Sequence, residues 1–304
     1  MTKTKIKSNS KKQQHLQDNL QGELPRVKKT IKLYIGGKFP RTESGRHLTQ
    51  NDHQGHPYAQ LCRASRKDLR NAVMSASKAF PSWTSNSAFL RSQVLYRIAE
   101  MMEARREEFS ILFQDCFGLS SEKALQEIQN GIDVVIYYAG FCDKAQQVSG
   151  SLNPVMTGHH NFTAVEPVGV VGVLLSRQFN FSKSMEDLCA TLALGNTCVV
   201  LIPETQGALL APLAEVLHTS DLPAGTVNLL SGLSRELAPH FYTHMEIQSL
   251  ILPSDVESTD LKQAQIDGAE NLKRIHVSSK RAQKSLESLL RTSEFKTVWH
   301  PQGH

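Results

Sequence analysis

The stretch of sequence that decides the fold is AVEPVGVVGVLLSRQFNFSKSMEDLCATLALGNTCVVLIPE, residues 164–204. Residues 168–175 form an apolar run rich in valine, which predicts a strand buried on both faces. Residues 185–194 place apolar side chains at helical spacing, and a Gly-Asn pair follows as a helix C-cap would. Residues 198–202 predict a second buried strand. This order of strand, helix and strand predicts a parallel sheet, with ligands expected at the carboxyl ends of its strands.

The alternation of helix and strand continues along the chain and indicates the fold class. Amphipathic spacing upstream predicts helices at residues 65–80, 87–107, 108–115 and 120–142. Downstream, helices and short buried strands are predicted to alternate at residues 206–220, 227–230, 234–240, 247–252, 258–269 and 272–277. We therefore predict an α/β fold with a Rossmann-like, doubly wound parallel sheet.

Composition indicates a soluble globular protein with a basic tail. The chain has 304 residues, of which 40% are hydrophobic and 21% charged, enough for a substantial core. The net charge is +5, and residues 1–32 hold nine Lys or Arg against two acidic residues. Residues 1–30 are almost empty of large apolar side chains, which predicts a disordered basic tail. The nearly neutral remainder gives no indication of a nucleic-acid surface.

Cysteine usage and hydropathy favour a cytoplasmic location. Five scattered cysteines without a CxxC pair suit free thiols in a reducing compartment. No apolar run reaches membrane-spanning length and the N-terminus lacks a hydrophobic signal core, so we expect no membrane association. His47, His53 and His56 lie in a polar stretch without a Cys or acidic ligand pattern, which favours a surface loop and no metal site.

Two hairpins are predicted outside the alternating region. Order is expected from about Ile31, and residues 32–39 predict a hairpin that turns at Gly36-Gly37. Residues 148–166 combine a proline, glycines and alternating residues, which predicts a two-stranded excursion turning near Gly158. Because an exposed hairpin commonly meets a partner subunit, we interpret residues 148–166 as an oligomerisation arm.

Eight segments, in their order and spacing, resemble the NAD(P)-dependent aldehyde dehydrogenase superfamily. The resemblance runs from about residue 32 to residue 275 and implies that residues 31–277 form the nucleotide-binding domain, which in this family lacks a GxGxxG loop. The family's usual chain is roughly half as long again, so the resemblance implies that most of the catalytic domain is missing and that residues 278–304 are its remnant. The segments are IGGKFPRTESG, AFPSW, RSQVLYRIAEMMEARREEF, YYAGFCDKAQQVSG, VEPVGVVGVLLS, LALGNTCVVLIPE, LPAGTVNLLSG and NLKRIHV.

The resemblance implies a site that needs a Cys nucleophile, an oxyanion donor and a Glu that activates water. Where the family has Pro-Trp-Asn-Phe-Pro, residues 176–180 read Ser-Arg-Gln-Phe-Asn, so Gln178 takes the oxyanion position. A shifted match would place Asn180 there but would break the spacing to the following Gly-Asn pair. Ser278 stands at the general-base position, where a hydroxyl alone cannot serve as base. Residues 298–304 resemble the run before the nucleophile, so no cysteine of this chain matches it.

The cofactor positions are only partly retained. Glu204 matches the family's ribose-binding Glu at the end of the second strand, although a carboxylate near a helix start is also a common solvated feature. Leu201, or Ile202 in a shifted match, replaces the family's Lys and disfavours NADP. Ser254 lies in the turn that cradles pyrophosphate in the family, but the neighbouring Asp255 adds an opposing negative charge.

Ser176, at the end of the first predicted strand, is the third candidate cofactor contact beside Glu204 and Ser254. Together these positions predict weak binding of NAD.

Three interpretations of function follow from these residues. The chain is a catalytically inactive aldehyde dehydrogenase-like protein with an interaction or regulatory role, an NAD-dependent aldehyde oxidoreductase with residual activity, or one part of a split or truncated enzyme. We favour the first, because a fold does not carry its function once site residues are replaced. Without a catalytic domain, apolar surface should be exposed, so we expect self-association or hetero-association with an intact aldehyde dehydrogenase.

Overall fold

The computed structural model describes residues 29–156 and 158–302. The predicted disordered tail lies outside the described residues, except for its last two positions, which belong to the first strand. In chain order the elements are β1 (Lys29–Ile31), β2 (His47–Asn51), β3 (Pro57–Cys62), α1 (Arg66–Ser85), α2 (Ala88–Ala104), α3 (Arg106–Phe117), α4 (Ser121–Phe141), α5 (Ala145–Ser149), β4 (Ser151–Leu152), β5 (His159–Pro167), β6 (Val170–Leu174), α6 (Phe181–Ala193), β7 (Thr197–Pro203), α7 (Leu210–His218), β8 (Val227–Gly232), α8 (Ser234–Thr243), β9 (Ser249–Leu252), α9 (Ser258–Gly268), β10 (Arg274–Val277), α10 (Leu286–Leu290) and β11 (Ser293–Pro301).

Five parallel strands form the central sheet, in the order β10-β9-β6-β7-β8. Every residue of β6, β7, β8 and β9 is buried, as predicted for strands covered on both faces. Val171 and Val173 of β6 face an apolar layer that includes α2, α4 and α6. Val170 and Leu174 face the opposite layer, which includes α1 and α8. Helices therefore cover both faces, and the predicted α/β, doubly wound parallel sheet is confirmed.

The helix after β6 begins four residues earlier than predicted. Asn180 has an extended backbone, and its side-chain oxygen accepts a hydrogen bond from the Lys183 N–H at 2.9 Å. This N-cap starts α6 at Phe181 rather than at residue 185. All thirteen residues of α6 are buried, including three charged ones. The apolar spacing in the sequence predicts one buried face, whereas the structure buries the helix on all sides.

The predicted arm at residues 148–166 is part of a three-stranded antiparallel sheet, which we call the hairpin sheet. It is ordered β11-β5-β4, with Leu152 of β4 opposite Phe162 of β5. On the other side, β11 pairs with β5 along nine residues, from Ser293 opposite Pro167 to Pro301 opposite His159. Residues 293–301 therefore complete the hairpin sheet instead of forming a separate unit. The assignment of residues 278–304 to a catalytic-domain remnant stays a prediction.

The N-terminal part forms a small sheet, ordered β1-β3-β2. Between β1 and β2 the predicted turn is present, since Ile35 and Lys38 form a bridge across Gly36 and Gly37, whose φ angles are 60° and 72°. Among the described helices, none combines the length and apolarity needed to cross a bilayer.

Gly172 of β6 provides a test of how closely the sheet and α8 pack. A Cβ at this position would lie 2.7 Å from Leu250 Cδ2 and 2.9 Å from Phe241 Cδ1, both fully buried. We expect Gly172→Ala to lower the free energy of unfolding by about 1–3 kcal/mol, measured by urea denaturation. Gly158→Ala is the matched control, because its Cβ meets no atom within 4 Å and should change stability by less than about 0.5 kcal/mol. Equal effects of the two changes would contradict this packing.

Candidate functional site

A cleft of about 270 Å³ opens at the carboxyl ends of β6, β9 and β10, where the parallel sheet was predicted to bind ligands. It brings together four of the five candidate residues, Ser176, Gln178, Ser254 and Ser278. Glu204 is not among its lining residues. The full lining is Leu175, Ser176, Gln178, Phe179, Asn180, Lys183, Ser184, Asp187, Pro253, Ser254, Asp255, Ser278, Ser279 and Lys280.

The loop after β6 distinguishes Gln178 from Asn180. Asn180 is committed to structure: its oxygen caps α6, and its side-chain nitrogen donates to the Lys280 carbonyl at 3.0 Å. The backbone N–H of Gln178 donates to Ser176 Oγ at 3.0 Å, which tightens the loop, and Gln178 is one of the residues that line the cleft. The assignment of Gln178 to the oxyanion position stays a prediction, and the structure gives Asn180 a different task.

Ser278 belongs to a buried group of charges on α6. Its hydroxyl donates to Asp187 Oδ2 at 2.7 Å. Asp187 Oδ1 lies 2.9 Å from Lys183 Nζ and also pairs with the guanidinium of Arg291. Lys183 Nζ in turn lies 2.5 Å from Glu186 Oε2. We call these residues, Lys183, Glu186, Asp187 and Arg291, the α6 charge cluster; its formal charges sum to zero, which is what burial requires.

Glu186 connects the α6 charge cluster to the segment after β10. The side chain is fully buried, and its Oε1 accepts bonds from the backbone N–H groups of Gln283 and Lys284 at 3.1 and 2.9 Å. The Tyr138 hydroxyl of α4 donates to the same oxygen at 3.0 Å. Burial, and then the neighbouring Glu186 carboxylate, raise the pKa of Tyr138, so the hydroxyl stays protonated as a donor. The segment is thus bonded directly to α6.

Glu204 lies at the end of β7 but is already engaged. Its Oε1 is 2.8 Å from Arg177 Nη1, and its Oε2 accepts from the Ser234 N–H at 3.3 Å, at the start of α8. The backbone N–H of Arg177 also donates to Asp255 Oδ2 at 3.1 Å. Arg177 therefore contacts Glu204 through its guanidinium and Asp255, the neighbour of Ser254, through its backbone N–H.

The five cysteines of the chain are free and buried, and none lines the cleft. Burial raises the pKa of Cys116 and of Cys142 to about 12, and it raises the pKa of Cys189 and Cys198 as well. A nucleophilic cysteine needs the opposite shift, since the thiolate is the reactive form. These four thiols therefore behave as core side chains.

The three histidines near residue 50 are exposed, but one of them is not in a loop. His47 begins β2, whereas His53 and His56 follow it. His53 Nδ1 lies 3.0 Å from the Asp115 carbonyl oxygen, and His56 pairs with Asp52. Within residues 29–156 and 158–302, no group of three or more His, Cys, Asp or Glu is arranged to hold a metal ion.

The model of the aldehyde dehydrogenase family matches residues 40–278. This chain belongs to the aldehyde dehydrogenase family. The resemblance predicted from the eight segments is thereby confirmed, and the match ends at Ser278, so the segment that carries Arg291 and β11 lies beyond it.

Relatives and solved structures agree with the family. The chain is 32% identical to the Bacillus subtilis (strain 168) protein named "Putative aldehyde dehydrogenase DhaS" over 255 residues, 81% of this chain and 50% of that protein. It is similar to the NAD+ complex of an aldehyde dehydrogenase from Bacillus cereus, with a TM-score of 0.76, 27% identity and coverage of 82% and 50% of the two chains. For HpcC from Thermus thermophilus the TM-score is 0.77 at 25% identity, with 83% and 48% covered. The chain thus spans about half the length of the relatives it matches.

Asp187 tests how much the fold depends on the α6 charge cluster. Asp187→Asn removes the negative charge that faces Lys183 and Arg291 and leaves Arg291 short of its partner, so we expect a loss of about 3 kcal/mol in the free energy of unfolding. Urea denaturation measures the loss. The control, Glu100→Gln, breaks the exposed pair with Arg97 and should cost less than about 1 kcal/mol. An Asp187→Asn protein as stable as this control would show that the cluster does not hold the fold.

The cysteine pKa values predict slow alkylation of the native protein. Because the pKa of Cys116 and Cys142 is raised to about 12, their thiolate fraction is small at pH 8 and should rise about tenfold per pH unit until near pH 12. Iodoacetamide labelling followed by peptide mass spectrometry measures the rate at each cysteine, and protein unfolded in guanidinium gives the reference. Labelling of either thiol at the unfolded-state rate at pH 7 would contradict this.

Proposed function

We propose that this chain is a catalytically inactive aldehyde dehydrogenase-like protein, a pseudoenzyme, with an interaction or regulatory role. The observation that carries the proposal is the state of Ser278. A general base must accept a proton from water, yet the Ser278 hydroxyl donates its own proton to Asp187 and lies buried against the α6 charge cluster. Ser278, which the resemblance assigns to the activation of water, thus bonds the segment after β10 to α6.

Two further features support the proposal. Gln178 offers an amide at the cleft, but a side chain longer by one methylene cannot place its donor where Asn would, and such placement is worth on the order of a few kcal/mol. The thiols of Cys116, Cys142, Cys189 and Cys198 are held in the unreactive form by burial.

The alternative is an NAD-dependent aldehyde oxidoreductase, either with residual activity or as one part of a split or truncated enzyme. It is favoured by Glu204, which stands at the end of β7 where a ribose diol could meet a carboxylate, and by likeness to a solved NAD+ complex. Arg177 already neutralises Glu204, and Asp255 places a carboxylate beside the pyrophosphate turn. The residues therefore fit NAD poorly, and we propose weak binding at most.

Location and partners belong to the same proposal. We propose a cytoplasmic protein, supported by five unpaired cysteines, that associates with itself or with an intact aldehyde dehydrogenase. Exposed apolar side chains on the hairpin sheet support association, among them Leu152, Phe295 and Trp299. We propose no nucleic-acid or membrane partner.

The decisive experiment measures turnover and cofactor binding by the purified full chain. We expect no NADH formation from acetaldehyde and NAD above a heat-inactivated control, because Ser278 cannot act as the general base and no cysteine lines the cleft. We also expect no saturable enhancement of NADH fluorescence up to millimolar cofactor. Turnover above the control would overturn the proposal. Saturable NADH binding that Glu204→Gln weakens severalfold would instead favour the alternative.

A further inference from the structure

Positively charged side chains gather where the first turns of α1 and α8 meet the loop before β2. Thr42 Oγ1 donates to Asp68 Oδ2 at 2.7 Å, which holds this loop against the start of α1. Arg46 Nη1 lies 2.9 Å from Glu236 Oε1, and Arg63 Nε donates to Glu236 Oε2 at 2.9 Å, so the loop and the segment before α1 both contact α8. The cations gathered here, which we call the basic patch, are Arg41, Arg46, Arg63, Arg66, Lys67, Arg70 and Arg235.

The basic patch carries more positive charge than its own acids compensate. Its acidic side chains are Glu43, Asp68 and Glu236, so the seven cations leave a formal excess of four. Arg66 and Arg70 are exposed, and no carboxylate of the described residues forms an ion pair with either. Residues 1–32 hold nine of the 34 Lys or Arg and two of the 29 acidic residues, so the rest of the chain has a net charge of −2. The patch is therefore a local excess of positive charge on a slightly acidic body.

Helix stability does not account for these cations. The first turn of a helix favours acidic side chains, because its backbone N–H groups carry partial positive charge. Arg66 and Lys67 nevertheless occupy the first turn of α1, and Arg235 occupies that of α8. Residues that oppose their local structure without a local gain are expected where a surface has another use.

The chemistry of the basic patch favours carboxylates. Glu236 already shows this, since the guanidinium groups of Arg63 and Arg46 contact its two oxygens. The hydrogen bond from Arg63, together with that from Arg46, lowers the pKa of Glu236. No aromatic side chain belongs to the patch, so it lacks the stacking surface by which proteins hold unpaired bases. Residues 1–32 are themselves basic and cannot neutralise it.

The spacing of two arginines indicates the form of the ligand. Arg66 and Arg70 are four residues apart on α1, about 6 Å along the helix axis. Alternate residues of an extended chain are about 6.6 Å apart and project to the same side. We propose that the basic patch binds an extended acidic segment of a partner protein, with carboxylates two residues apart on Arg66 and Arg70.

This inference rests on the proposed function for its interaction role, and it names the surface and the chemistry of the partner. The two fail separately. Turnover of acetaldehyde would overturn the inactive assignment and leave binding at the basic patch unaffected. A chain that binds no acidic peptide would overturn the role of the patch and leave the inactivity of the cleft unaffected.

The first test is fluorescence anisotropy of a labelled serine peptide of fifteen residues with five glutamates, each two residues from the next, titrated with the full chain. We expect saturable binding whose affinity falls as salt is raised. Arg66→Glu combined with Arg70→Glu should weaken binding by about tenfold or more, because two ion pairs become repulsive. The matched control is Lys123→Glu combined with Lys262→Glu, at exposed lysines of α4 and α9 outside the patch. It changes the net charge equally and should alter the affinity by less than about twofold.

The second test reads the spacing and uses the wild-type chain alone, so it does not depend on the folding of any variant. A second peptide of the same composition carries its five glutamates at every third residue. Successive glutamates then project to opposite sides of an extended chain, and no two of them can meet Arg66 and Arg70 together. We expect the first peptide to bind about fivefold more tightly, which corresponds to the loss of one ion pair.

Three outcomes would overturn the proposal: no saturable binding of the first peptide, an equal loss of affinity in the patch variant and its control, or equal affinity for the two spacings. A thymidine oligonucleotide with five phosphates that binds more tightly than the first peptide, and loses affinity in the patch variant, would also overturn it. The occupant of the patch would then be a nucleic acid.

Discussion

The fold depends on compensating the three buried charges of α6. A charged side chain taken out of water costs several kcal/mol unless a partner and hydrogen bonds replace the water. α6 carries Lys183, Glu186 and Asp187 into the protein, and the fourth member, Arg291, comes from a segment about a hundred residues later. The helix can be buried only when that segment folds back over it. The free energy of burying α6 is therefore coupled to the folding of the segment that carries Arg291.

The same closure positions the third strand of the hairpin sheet. The side-chain nitrogen of Asn196 donates to the Thr292 carbonyl at 2.9 Å, immediately before β11 begins. Arg274 of β10 pairs with Glu294 at 2.8 Å at the start of the strand. Beyond this anchored end, β11 pairs with β5 and with no second strand within the described residues. Because Arg291 directly precedes this anchored end, the charge compensation at α6 also helps to position β11 in the hairpin sheet.

The central sheet could be predicted from the sequence because its information is local. The run at residues 168–175 is apolar enough that only a doubly buried strand suits it, and the strands and helices after it repeat the pattern. The start of α6 was missed because capping by Asn180 depends on a rotamer and a backbone angle that composition does not reveal.

The candidate site was less predictable, for the opposite reason. Lys183, Glu186 and Asp187 look like the solvated face of a helix, and the residues that cover them are distant in sequence. Resemblance supplied the positions of Gln178, Ser254 and Ser278, and the cleft brings them together. The resemblance could not predict which groups these side chains bond to. The Ser278 hydroxyl donates to Asp187, and Arg177 forms an ion pair with Glu204. Chemistry is set by such partners, which a family pattern does not specify.

The serine at position 278 therefore has a structural consequence as well as a chemical one. A carboxylate at position 278 would lie beside Asp187 and add a second negative charge to a buried group whose charges now sum to zero. Like charges at such a distance in a poorly solvated site raise the free energy of the folded state or force a proton onto one of them. A neutral serine adds no such charge and donates a hydrogen bond to Asp187, so the α6 charge cluster stays compensated. The Ser278 hydroxyl that donates to Asp187 is itself part of this compensated group, which ties the residue at position 278 to the stability of the closed segment.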